Sequence, residues 1–250
     1  MQRGGDILQL PRVMGHRGAA ARAPENTLAG IRAAKESGLD WVEFDTMLTG
    51  DGVPVLFHDD NLQRTTGRDA LMENTAFADL ASLEAGAWFD HRFHGEPVPS
   101  LEAALDLVLE LGLIPNIEIK PTPARDKQTA AAVVEVLERR WPKDRPGPLV
   151  SSFSRKSLEV VKAKGPGLTR SLLAWRVPRD WKKVAAALEC TNFHIAAGRL
   201  NAVKVERIKR AGYGLAAFTV NDPKKARRLV SWGVDCIISD VPDLILSALD

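Results

Sequence analysis

Strand-like and helix-like segments alternate along this chain, eight strand–helix units fit within its 250 residues, and ionisable side chains recur at strand ends. Together these predict an α/β fold, a closed (β/α)8 TIM barrel with a small inserted subdomain after the second strand. Uninterrupted β–α alternation implies a parallel sheet with right-handed crossovers. Eight units are enough to close that sheet, and such a barrel fills about 250 residues. One domain, 1–250, is therefore expected, with 59–98 as an insertion within it.

The elements follow in order. Arg12-Val13-Met14-Gly15 reads as the first strand. Pro24-Glu25-Asn26-Thr27 starts a helix that Asn26 or Thr27 can cap, and Leu28, Ile31, Ala34 and Lys35 carry its pattern to Gly38, a good stop. Residues 39–46 form the second strand. Asp51-Gly52 signals a two-residue hairpin, so 53–57 returns as an extra strand outside the eight. Residues 59–98 break the rhythm, with Arg64-Thr65-Thr66-Gly67, Trp88-Phe89, Phe93 and Gly95-Glu96-Pro97. A segment this long between regular elements is usually functional, and it reads as an insertion packed by its own aromatics near the site. Helices are then expected at 101–111, 126–140, 156–164, 181–188, 202–211, 223–232 and 244–249. Strands are expected at 114–120, 148–153, 170–174, 192–196, 214–220 and 235–239. Pro142, Gly165-Pro166-Gly167, Gly212 and Gly233 supply the stops.

Composition narrows the function classes. With 45% hydrophobic and 26% charged residues the chain is an ordinary globular protein. Lys+Arg 34 against Asp+Glu 32 is too balanced to imply nucleic acid. The basic stretches 204–210 and 224–228 read as solvated helix faces. Two cysteines make no disulfide framework, and Cys236, within Val234-Asp235-Cys236-Ile237-Ile238, reads as a buried inert thiol. The opening Met1-Gln2-Arg3-Gly4-Gly5-Asp6 lacks the apolar core of a signal peptide, and no apolar run approaches the ~18 residues of a membrane span. A cytoplasmic protein without membrane insertion is expected.

Four stretches put ionisable groups where a core would be apolar: Gly15-His16-Arg17-Gly18, Glu43-Phe44-Asp45, His58-Asp59 and Glu118-Ile119-Lys120. Glu43 and Asp45 are two apart on one strand and share a face, as do Glu118 and Lys120. Inward-facing acids are costly unless paired or metal-bound. A salt-bridge network with Arg17 and Lys120 is the bland reading. Charge counting weakens it, since three carboxylates outnumber two cations, whereas a divalent ion and a phosphodiester monoanion close the balance. All-oxygen ligation favours Mg²⁺ or Ca²⁺ over zinc. His16 and His58 follow strand ends and face the barrel mouth, where two imidazoles suit general acid–base work. Arg17 matches phosphate oxygens bidentately, and Gly15 and Gly18 leave room for close backbone approach. His91 and His94 are expected exposed, and His194 a satisfied core histidine. Phe153 and Phe218 are candidates for an apolar wall beside the substrate, although barrel packing explains them almost as well.

These motifs, with Pro24-Glu25-Asn26-Thr27, Thr49-Gly50-Asp51-Gly52, Arg64-Thr65-Thr66-Gly67, Trp88-Phe89, Ser152-Phe153, Thr219-Val220-Asn221 and Gly233-Val234-Asp235, resemble in order and spacing the glycerophosphodiester phosphodiesterase family, cytoplasmic bacterial members above all. The resemblance implies one divalent metal ion held by Glu43, Asp45 and Glu118. It makes His16 and His58 the acid–base pair and Arg17 and Lys120 the phosphate grip, with Phe218 where the family often has tryptophan. It implies hydrolysis of small glycerophosphodiesters, such as glycerophosphocholine or glycerophosphoethanolamine, to an alcohol and sn-glycerol 3-phosphate. Ser239-Asp240-Val241-Pro242 varies the usual closing motif and is expected to stay clear of the chemistry. Which histidine is acid, Mg²⁺ against Ca²⁺, water against the glycerol 2-hydroxyl as nucleophile, head-group choice and monomer against homodimer stay open. So do a lysophospholipase D, a metal-free phospholipase C-like barrel and an inactive phosphodiester-binding homologue.

Overall fold

A computed structural model of the protein describes residues 8–122 and 124–250. The opening residues 1–6, read above for targeting signals, lie outside the described residues. The elements run β1 (Val13–Gly15), α1 (Leu28–Glu36), β2 (Trp41–Leu48), β3 (Pro54–Leu56), α2 (Gln63–Thr66), α3 (Phe77–Leu80), α4 (Leu101–Glu110), β4 (Ile114–Ile119), α5 (Asp126–Arg140), β5 (Leu149–Ser152), α6 (Arg155–Lys164), β6 (Thr169–Ala174), α7 (Trp181–Leu188), β7 (Asn192–Ala196), α8 (Ala202–Arg210), β8 (Gly214–Phe218), α9 (Pro223–Ser231), β9 (Cys236–Ser239) and α10 (Pro242–Leu249). Neighbouring strands pair in parallel in the order β1-β9-β8-β7-β6-β5-β4-β2, and a β1–β2 pairing at Gly15 and Val42 closes the ring. The result is an eight-stranded parallel barrel. The ninth strand, β3, returns antiparallel on β2 after the Asp51-Gly52 turn, pairing Thr46 with Leu56.

Side-chain alternation along the strands sorts the core into layers. Val42, Phe44, Ile117, Ile119, Val150, Phe193 and Ile195 face the helices and pack with Ile31, Leu105, Val133 and Trp181. Met14, Trp41, Leu149, Ala216, Cys236 and Ile238 pack together inside the barrel. The same inward parity carries Glu43, Asp45, Glu118 and Lys120 upward to the C-terminal strand ends, the barrel mouth. A third cluster, Met47, Val55, Phe57, Leu62, Met72, Leu80, Ala85 and Val98, holds residues 59–98 against the β2–β3 hairpin. That cluster corrects one expectation: the segment is packed mainly by aliphatic side chains and methionine. Trp88, Phe89 and Phe93 stack edge to face outside it.

Helix starts follow the capping chemistry. Thr27, Ser100, Ser154, Asn201 and Asp222 each accept a first-turn N–H. Asn26 does not cap, and its side chain is used elsewhere. Gly18 adopts φ +92°, and a Cβ there would meet the Gly30 carbonyl carbon at 2.4 Å. The loop after β1 thus rests directly on the α1 backbone. Gly18→Ala is expected to destabilise the protein by about 2–4 kcal/mol, because the strained φ and the backbone clash add. A urea denaturation midpoint equal to wild type would refute that close approach.

Candidate active site

Adjacent strands bring the acids together. β2 and β4 pair so that Asp45 stands beside Glu118 and Glu43 beside Asn116. One carboxylate oxygen from each of Glu43, Asp45 and Glu118 lies within 4.8 Å of the others. Glu43 and Asp45 are buried. Burial, then repulsion from Asp45 and Glu118, holds the Glu43 carboxyl well above the usual carboxylate range. Burial and Asp45 push Glu118 up to about 8.

Local hydrogen bonds orient this triad without neutralising it. The Arg17 backbone N–H donates to Glu43 Oε2 at 2.9 Å. Asn26 clasps Asp45 twice: its Nδ2 donates to Oδ2 at 2.9 Å and its Oδ1 accepts from the Asp45 backbone N–H at 3.0 Å. Arg17 and Asn26 both hold left-handed backbone, φ 50° and 55°, which aims the Arg17 N–H at Glu43 and the Asn26 side chain at Asp45. The Arg17 guanidinium divides its charge: Nε lies 3.0 Å from Asp45 Oδ2, while Nη1 donates to Glu25 Oε1 at 2.7 Å. Arg64 grips the same Glu25 through two bonds of 2.7 and 2.8 Å. Besides the shared Arg17 and nearby Lys120, no lysine or arginine pairs with the triad among the described residues, so its carboxyls are incompletely compensated and Glu43 and Glu118 hold their protons above the usual carboxylate range. Three converging all-oxygen ligands, two of them buried, fit a hard divalent ion.

Both histidines are held the same way. His16 Nδ1 lies 2.6 Å from Asp240 Oδ1, and Asn221 Nδ2 donates to the other oxygen of Asp240 at 2.6 Å. His58 Nδ1 lies 2.6 Å from Asp59 Oδ1, and Arg64 Nε donates to Asp59 Oδ2 at 2.6 Å. An aspartate on Nδ1 fixes the ring and its tautomer and leaves Nε2 for the reaction. His58 Nε2 sits 2.7 Å from Lys120 Nζ, so the ammonium donates to a neutral imidazole. Burial, with Arg17 and Lys120 as lesser causes, lowers the His58 pKa below 6.5.

The expectation for Ser239-Asp240-Val241-Pro242 is overturned, since Asp240 touches His16 directly. Strand parity does carry a signal for Asp240, which lies two past the inward Ile238 just as Lys120 lies two past Glu118. Asn26, Glu25 and Arg64 were visible only as members of motifs without a role, and Trp175 was not visible at all. Trp175 stacks on Phe153 with centroids 5.3 Å apart, and Phe218 closes the cluster at 5.9 Å from each. Phe218 thus belongs to an aromatic wall at the mouth rather than to the barrel core alone. His91 and His94 are exposed, as expected. His194 is fully buried but not satisfied: neither ring nitrogen has a partner, and burial pushes its pKa down to about 3.

A profile of the Glycerophosphoryl diester phosphodiesterase family matches residues 16–244. The chain belongs to this family. Glycerophosphoryl diester phosphodiesterases act on phosphodiesters of glycerol, and this chain is an enzyme of that class. A glycerophosphodiester phosphodiesterase of Caldanaerobacter subterraneus is 31% identical over 94% of this chain and 96% of its own length. An Oleispira antarctica phosphodiesterase, solved with the product sn-glycerol-3-phosphate, is 41% identical with a TM-score of 0.94, covering 96% of this chain and 97% of that one. The Agrobacterium tumefaciens glycerophosphodiester phosphodiesterase is 28% identical with a TM-score of 0.76, covering 95% of this chain and 100% of that one.

The couplings around His58 have definite signs. In an NMR titration of the metal-free protein its ring is expected to titrate below 6.5. Lys120→Met is expected to raise that midpoint by removing a facing cation, and Asp59→Asn to lower it by removing an acceptor that favours the charged ring. A midpoint unmoved by both substitutions would contradict the pairing.

Proposed function

We propose that this enzyme hydrolyses small glycerophosphodiesters, such as glycerophosphocholine or glycerophosphoethanolamine, to sn-glycerol 3-phosphate and the free alcohol, with one divalent ion and a histidine acid–base pair. The observation that carries the reading is the meeting of three under-neutralised carboxylates, two of them buried, with two imidazoles, each backed by an aspartate, at one end of the barrel. The product bound in the Oleispira relative supports the same substrate class.

Glu43, Asp45 and Glu118 would hold the ion, Mg²⁺ or Ca²⁺, which supplies Lewis acidity to the phosphoryl group when bound. His58 Nε2 accepts from Lys120; with Lys120 turned to a phosphoryl oxygen of the substrate, that lone pair would take the proton of the attacking hydroxyl, whether water or the glycerol 2-hydroxyl. His16, with Nδ1 on Asp240, then donates from Nε2 to the departing alkoxide. Lys120, so turned, and Arg17, anchored on Glu25, offset charge on the phosphoryl oxygens. The reading places the protein in the cytoplasm, a location that two free buried cysteines suit. Among the described residues no helix is long and apolar enough to cross a membrane.

One observation favours a second substrate, a lysophospholipid. The Phe153–Trp175–Phe218 cluster gives the mouth an exposed apolar surface. A coupled assay for glycerol 3-phosphate from glycerophosphocholine, run beside choline release from lysophosphatidylcholine, separates the two. His16→Ala and His58→Ala are each expected to lower turnover by about 10²–10⁴-fold. EDTA is expected to abolish it and Mg²⁺ or Ca²⁺ to restore it. Wild-type rates in both variants would end the acid–base assignment, and unchanged rates in EDTA would favour the metal-free alternative.

The raised Glu118 pKa gives metal binding a proton signature. At pH 7 its carboxyl is largely protonated, so an incoming ion displaces that proton. Calorimetry in two buffers of different ionisation enthalpy is expected to show proton release at pH 7. Affinity should rise with pH through the range near 8 in which Glu118 gives up its proton. Buffer-independent heats at pH 7 would count against ligation by Glu118.

A further inference from the structure

In a parallel barrel every outer helix begins at the mouth. Negative side chains are favoured in a first helical turn, because the helix dipole is positive there. Four successive helices do the opposite. No acid stands in the first turn of α6, α7, α8 or α9. Instead these turns carry Arg155-Lys156, Lys182-Lys183, Lys204 and Lys224-Lys225. The connecting loops add Arg176, Arg179 and Arg199. On this arc ten basic side chains face two acids, Asp180 and Asp222, in a chain whose net charge is only +2. Asp180 is already paired with Arg155. The cations do not serve the helices that bear them.

Exposed apolar side chains gather on the same end. Phe153 and Trp175 follow β5 and β6, Trp175 being 68% exposed. Val203 and Leu244 stand exposed in the first turns of α8 and α10. Among the described residues the other two large exposed hydrophobics, Leu71 and Trp88, lie in residues 59–98, which leave the barrel at that end too. A rim meant only to steer a small anion needs charge alone. Charge interleaved with tryptophan, phenylalanine and valine suits a surface that is anionic outside and apolar just beneath.

We propose that the mouth face over α6–α9 seats peripherally on an anionic lipid surface, with Trp175 and Phe153 entering the head-group layer and the lysines of the helix starts meeting lipid phosphates. The site would then open toward the bilayer. Adsorption is read without turnover, so its outcome is independent of the chemistry proposed above.

The test is co-sedimentation with vesicles of phosphatidylcholine alone and of phosphatidylcholine with one-third phosphatidylglycerol. Binding is expected to the mixed vesicles only and to fall as NaCl rises. Lys156→Glu, Lys183→Glu and Lys224→Glu together place acids where the helix dipole favours them, so the triple variant should fold normally. It is expected to bind at least ~100-fold more weakly, with turnover on soluble glycerophosphocholine unchanged. Trp175→Ala is expected to weaken adsorption several-fold while leaving its salt dependence in place. Absence of binding to mixed vesicles at low salt overturns the proposal, as does undiminished binding by the triple variant. Equal retention on single-stranded DNA with no vesicle binding, or a salt-dependent KM without adsorption, overturns it as well.

Discussion

Three carboxylates within 4.8 Å of one another, two of them buried, are the constraint on which the rest of this structure depends. Such an arrangement opposes folding unless something compensates it. Partial compensation comes from local geometry: a left-handed Arg17 that turns its N–H toward Glu43, a left-handed Asn26 that clasps Asp45, and a guanidinium shared with Glu25. Left-handed backbone and incompletely compensated carboxyls thus meet in the same few residues, as the cation site proposed above would need.

The two histidines extend the same logic outward. Each ring has an aspartate on Nδ1, and each aspartate is itself fixed, one by Asn221 and one by Arg64. Arg64 also holds Glu25, which holds Arg17, which faces Asp45. A continuous chain of charge-assisted bonds therefore links the second imidazole to the carboxylate triad. Lys120 makes a shorter link, from β4 directly to His58 Nε2.

The barrel was legible in the sequence because its signals are local and periodic. Apolar runs ended by glycine and capped helix starts repeat often enough to count. The triad was legible for a related reason: Glu43 and Asp45 share a face by strand parity, and an acid inside a buried strand is out of place. Strand pairing then set Glu118 beside Asp45, a relation that no spacing contains. Asp240 shares the inward parity of Ile238, but its partner lies 224 residues away, so no local pattern joined it to His16. Trp175 escaped because an aromatic beyond a strand end looks the same whether it is buried or bare. The aliphatic packing of residues 59–98 was missed because its aromatics are the more conspicuous residues, while methionine and leucine form the cluster.

The pairing of β1 with β9 has a consequence for biogenesis. His16 sits at the end of the first strand, and its aspartate follows the last strand of the ring. A nascent chain therefore cannot form the His16–Asp240 contact, or close the ring at β1, until β9 has emerged from the ribosome.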